Sequence, residues 1–208
     1  MENTIDHSKV KLALAVLTSP TPAFEEIARR RLLGTALLIV AAAGVAAAVP
    51  ISVTAVRVHS PLALLALGKS NPIAWVGLCM LYAFAMQKLL KWLGTQIDYV
   101  PLLTLMGWSQ IALVVVGVSQ LATALATTRQ DTLARIGDAG ATVFSIAYAA
   151  LMGPAVAALS GAPKARGILS YIVIHIVAYM GFSIYYANNL VAGFAHALPG
   201  IEQSARFF

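Results

Sequence analysis

Charge is scarce in this 208-residue chain: Asp and Glu together number 8, and charged residues of both signs make up 11% of it. Soluble domains carry about 25%. A chain of this size still leaves roughly 30% of its unfolded surface exposed after folding, and so few charges cannot cover that much surface in water. The shortage excludes a soluble enzyme, a nucleic-acid-binding module and a disordered scaffold. There is one cysteine, Cys79, so an intrachain disulfide and a paired-cysteine metal motif are excluded. Walker, G-x-S-x-G, H-E-x-x-H and dinucleotide fingerprints do not occur, which counts strongly against those chemistries. The chain is instead 60% hydrophobic, with a mean hydropathy of +0.82. That composition belongs to an integral membrane protein.

Five apolar stretches are long enough to cross a bilayer, which takes about 20 helical residues: 33–56, 73–90, 102–125, 140–159 and 168–194. They do not alternate as barrel strands do. The expected fold is therefore all-α, a single domain over residues 1–208 built as a bundle of five transmembrane helices. Before the first stretch, Lys9 and Lys11 precede only a short apolar run at 12–17, so a cleaved signal peptide is not expected. The connections are short and rich in Pro and Gly, and Pro101 suits the first turn of the third span.

Basic residues set the orientation. Lys9, Lys11, Arg29, Arg30, Arg31, Lys88, Lys91, Lys164 and Arg166 fall on one side. Arg57, Lys69, Arg129, Arg135 and Arg206 fall on the other. Nine against five places the N-terminus in the cytoplasm and, with five spans, the C-terminus outside a bacterial cytoplasmic membrane.

Residues 18–33 read TSPTPAFEEIARRRLL. Thr21 can cap a helix, Pro22 suits its first position, and Glu25 and Glu26 lie near its positive end. Phe24, Ile27 and Ala28 share one face. The pattern predicts an amphipathic helix at the membrane interface. Arg29, Arg30 and Arg31 would then meet anionic lipid headgroups, each gaining about 1 kcal/mol.

Leu17-Thr18-Ser19-Pro20 followed by Ala23-Phe24-Glu25 resembles the motif, approximately L-x-x-P-x-x-A-F, that precedes the first of five spans in prokaryotic members of the Yip (Ypt-interacting protein) family. Residues 102–113, LLTLMGWSQIAL, are similar to the third span of that family, which carries a Gly-Tyr-Ser-like step followed by proline. Gly107, Trp108 and Ser109 match the step, with Trp for Tyr, and Ala112 stands where the family often has proline. The eukaryotic Asp-Leu-Tyr-Gly-Pro signature is absent. The motif positions are thus Ser19, Pro20, Phe24, Gly107, Trp108 and Ser109. The resemblance implies a five-span membrane protein with a cytosolic N-terminus. Eukaryotic relatives bind Rab-type GTPases and help shape or sort membranes.

No Asp or Glu lies within the five stretches, which argues against carboxylate proton relays and two-carboxylate hydrolysis. Tyr171, His175, Tyr179, Phe182 and Tyr186 recur at helical spacing in the fifth. They are candidates for lining a small-molecule or headgroup pocket, with Tyr171, His175 and Tyr179 at its centre. Aromatic packing, with His175 bonded to another span, is the favoured reading. Gln110 and Gln120 are expected to bond across helices. Ala149, Gly153, Ala157 and Gly161 recur every four residues in the fourth stretch, allowing close helix approach or a homodimer.

The expected function is non-enzymatic: a membrane-organising or protein-interaction component, with no catalytic residue, metal or cofactor. Its expected partners are the lipid bilayer and a membrane protein or second copy, not nucleic acid. A small-solute or lipid transporter, or the membrane subunit of one, is the alternative, and a lipid-active membrane enzyme ranks third.

Overall fold

The computed structural model describes residues 7–57, 72–126 and 130–197. The connection at 58–71 and the C-terminal end lie outside the described residues. Among the described residues, eight helices follow in order: α1 (His7–Thr18), α2 (Pro20–Arg30), α3 (Leu33–Arg57), α4 (Pro72–Trp92), α5 (Tyr99–Ser109), α6 (Ile111–Ala126), α7 (Gln130–Ser160) and α8 (Lys164–Ala197). No strand occurs among the described residues. Among the described residues, three helical stretches are long and apolar enough to cross a membrane: Pro72–Trp92, Tyr99–Ala122 (continued across one turn residue) and Thr142–Ser160. Leu33–Ala47 is a shorter apolar helix. The chain divides into two compact units, Met1–Tyr171 and Ile172–Phe208.

Within the first unit α3, α4 and α6 are apolar on their outward faces as well as inside. On α4, Cys79, Ala83, Met86 and Leu90 point inward at helical spacing and are buried. Its outward residues are also apolar: Ile73, Met80, Leu81 and Phe84 are exposed. Leu38 on α3 is 72% exposed and Val118 on α6 is 62% exposed. A helix that is hydrophobic all round suits lipid on its outer side rather than water.

Glycine sets the closest approaches. A Cβ built on Gly107 would sit 2.8 Å from the Cβ of Ala36, and one on Gly117 would sit 2.5 Å from the carbonyl oxygen of Ala46. These contacts advance by equal steps along α3 and along α5–α6, so the two run parallel, backbone against backbone. On the other side of α3, Gly44 receives the Trp75 side chain of α4.

Helix ends follow local chemistry. Pro20 has no N–H to continue α1, so the chain breaks at Ser19 and α2 starts at Pro20, two residues before Pro22. Ser19 stands at the N-cap position of α2 without a side-chain cap bond. At the end of α4, Thr95 N–H donates to Leu90 O (2.8 Å) and Gly94 N–H to Lys91 O (3.0 Å). This termination needs a left-handed residue, and Gly94 supplies it at φ +79°.

Cross-links tie one end of the unit together. Gln87 Nε2 donates to Ile97 O (3.0 Å), and Tyr99 Oη donates to Met80 O (3.1 Å). Arg166 Nη1 donates to Thr95 Oγ1 at 2.9 Å, joining the α4–α5 connection to the start of α8. These two connections, expected on one side from their basic residues, do lie at one end of the unit.

Candidate functional site

The two motif patches lie far apart in sequence, on α2 and on α5. The structure packs α2 against α5 and α7. Ala23, Phe24 and Ile27 are the buried face of α2, with Phe24 and Ile27 fully enclosed. Pro20 is half-buried, whereas Ser19 is exposed. The apolar face expected to rest on lipid is therefore covered by protein in this structure. Burying it removes one large aromatic and one branched side chain from solvent, at about 1.5–3 kcal/mol each.

Gly107, Trp108 and Ser109 close α5, and all three are buried. Gly107 admits α3, as described above. Ser109 Oγ donates to Leu105 O at 2.9 Å, a back-bond that tends to bend a helix. At Gln110 the helix is interrupted. Gln110 N–H reaches back only three residues, to Gly107 O at 3.1 Å, and α6 begins at Ile111. The break forms with alanine at position 112, so it does not depend on proline.

Shortening that turn frees the carbonyl of Met106 from its ordinary helical donor, the N–H of Gln110. Tyr148 Oη on α7 donates to Met106 O instead, at 3.0 Å. Inside a bilayer a backbone carbonyl needs an internal donor, and Tyr148 provides it. Tyr148 is buried among aromatics: its ring lies 4.9 Å from Tyr171 and 5.4 Å from Phe144, and Tyr171 lies 6.5 Å from Tyr82. Tyr148→Phe keeps those ring contacts and removes the donor. It should lower stability in detergent by about 1 kcal/mol, measured by thermal unfolding. An unchanged midpoint would show that Met106 O is satisfied in another way.

Tyr171 thus enters an aromatic core shared by α4, α7 and α8. His175 follows one turn later on α8, in the second unit. The Tyr179 side chain, the third residue of the expected pocket, lies outside what the structure describes. Among the described residues, no group of three or more His, Cys, Asp or Glu side chains could hold a metal ion. Among the described residues, three buried side-chain polar atoms have no hydrogen-bond partner: Trp108 Nε1, Gln110 Oε1 and Ser170 Oγ.

The basic cluster is more structured than its sequence implied. Glu26 Oε2 accepts from Arg29 Nε at 2.8 Å, and Glu26 Oε1 accepts from Arg30 Nε at 2.5 Å. The Arg29 hydrogen bond, followed by that of Arg30, holds the Glu26 carboxyl below its ordinary value of 4.5. Any stability from this pairing is therefore present above pH 4.5 and is lost as pH falls through the lowered value. Arg31 ends α2 in the left-handed conformation, at φ 52° and ψ 47°, and is exposed.

The sequence did not single out Tyr148 or the Glu26 pairings. A tyrosine inside an apolar span was the available signal for the first, since its hydroxyl must find a partner there. The i,i+3 and i,i+4 spacing of Glu26 to Arg29 and Arg30 was the signal for the second.

The Yip1 domain family model matches residues 14–187, which include both motif patches, the end of α1, all of α2 to α7 and most of α8. No curated protein and no solved structure matches the chain.

Proposed function

The chain belongs to the Yip1 family, and from that premise we propose a five-span membrane protein that works by binding lipid and membrane proteins rather than by catalysis. The observation that carries this reading is the use made of the polar groups in the first unit. The Tyr148 hydroxyl completes a broken helix, Ser109 bonds its own backbone, and Arg166 ties two connections together. Each has a structural task, while the outward faces are apolar. Such a body is suited to sitting in lipid and presenting surfaces.

The remaining two spans in this reading are α3 and α8. The N-terminus lies in the cytoplasm, the C-terminus lies outside, and the membrane is the bacterial cytoplasmic one. Arg29, Arg30 and Arg31 meet anionic headgroups at the start of α3. Gly44, Gly107, Gly117 and Gly153 are already filled by contacts within the chain. A homodimer would therefore use a different surface.

Reporter fusions test the orientation. A reporter after Arg31 or at Lys164 should read as cytoplasmic, and one after Phe208 as external. A cytoplasmic C-terminal reporter would overturn the span count or the direction. The activity is tested by purification in mild detergent followed by mass spectrometry, and by reconstitution. The expected result is a reproducible membrane-protein partner or self-assembly, with no solute flux through vesicles. Flux or turnover by the purified chain alone would overturn it.

A further inference from the structure

The outward stripe of α1 has no counterpart in the sequence expectations. Val10, Leu14 and Leu17 recur at i, i+4 and i+7, and they are 48%, 60% and 39% exposed. The opposite face carries Val16, fully buried, and Leu12, half-buried. That side packs on α2, α5 and α6. Lys9 and Lys11, both exposed, flank Val10 in the chain. At about 100° per residue they project to either side of the stripe. The helix therefore shows an apolar strip bordered by two cations, with a protein-packed back.

We infer that α1 seats Val10, Leu14 and Leu17 in the acyl-chain boundary of the bilayer, with Lys11 reaching anionic phospholipid headgroups. This rests on the membrane reading above. It moves the apolar contact with lipid from α2 to α1, because Phe24 and Ile27 of α2 are already enclosed by protein.

Three features select lipid as the occupant. The first is charge: the long cationic side chain of Lys11, beside an apolar strip, can snorkel to phosphate while its stem lies along hydrocarbon. The second is continuity: α6, which touches α1, turns Val115 and Val118 outward, and both are exposed. The third is size. A stable protein interface takes about 800 Å² from each partner, far more than three aliphatic side chains present.

Spin labels on the full-length chain in vesicles of phosphatidylcholine and phosphatidylglycerol test this. Labels are placed singly at Val10→Cys, Leu14→Cys, Leu17→Cys, Lys11→Cys and Val118→Cys in a Cys79→Ala background. Collision with oxygen, which partitions into lipid, is compared with collision with a water-soluble nickel chelate. The three stripe positions should give oxygen-to-nickel ratios several-fold above Lys11→Cys and close to Val118→Cys. Stripe ratios equal to that of Lys11→Cys, with Val118→Cys still in lipid, would overturn the seat of α1 alone. Protection of the stripe from both reagents would overturn it in favour of a protein or second-copy cover. Nickel access at Val118→Cys as well would overturn the membrane reading and this inference with it. The three stripe positions are separate variants, so one that fails to fold leaves the others decisive.

Discussion

Gly167→Ala should lower the thermal midpoint of the detergent-solubilised protein sharply, although it adds only one methyl group. The added Cβ would collide with the carbonyl oxygen of Met152 and come within 2.9 Å of both the Met152 carbonyl carbon and the Val156 Cβ. The first two are backbone atoms and cannot swing aside. Relief requires α7 and α8 to move apart, which also loosens the Tyr148–Tyr171 contact. Overpacking of this kind costs typically about 1–3 kcal/mol, occasionally more. Gly117→Ala should behave similarly, since its Cβ would sit 2.5 Å from Ala46 O. Gly77→Ala is the control: nothing lies within 4 Å of its added Cβ, and alanine is the better helix former by roughly 1 kcal/mol. Equal midpoints for Gly167→Ala and Gly77→Ala would show that the α7–α8 approach is looser than the structure has it.

Phe24→Ala should be the most damaging single change in the N-terminal segment, at about 3–5 kcal/mol for a fully buried phenylalanine. The loss falls on the docking of α2 against α5 and α7. It should therefore appear locally as faster tryptic cleavage at Arg29, Arg30 and Arg31, beyond the fall in the global midpoint. Glu25→Ala, on the exposed side of α2, should leave cleavage unchanged. If Phe24→Ala left both cleavage and midpoint unaltered, α2 would not be docked through this face.

Both results depend on features that differ in how far the sequence reveals them. The apolar class and the helices were legible because hydrophobicity and helix signals act residue by residue. The stretch 73–90 lies inside α4, and Pro20, Gly94 and Gly161 mark helix boundaries by their own backbone chemistry. The value of Phe24 to an amphipathic helix was equally plain from its spacing to Ile27 and Ala28. The identity of the surface it meets was not, because lipid and a protein groove reward the same apolar face.

The glycines divide in the same way. Regular spacing in the fourth stretch drew attention to Gly153, and its added Cβ would indeed meet Lys164 O and Ile168 Cγ1, each at 3.0 Å. Gly161 in that series instead ends α7, at φ +66°. Gly167, the tighter contact, sits beyond a turn-rich segment and belongs to no repeat in the sequence. Residue-local physics thus determined that this chain forms apolar helices, where several of them end, and that α2 has an apolar face. Only the tertiary structure decided that Gly167 bears on Met152, that the helix breaks at Gln110 between α5 and α6 with Tyr148 supplying the lost hydrogen bond, and that α1 rather than α2 keeps an apolar stripe outward. Those outcomes depend on which backbone groups and side chains meet between helices distant in sequence, and no spacing within one helix encodes the partner on another.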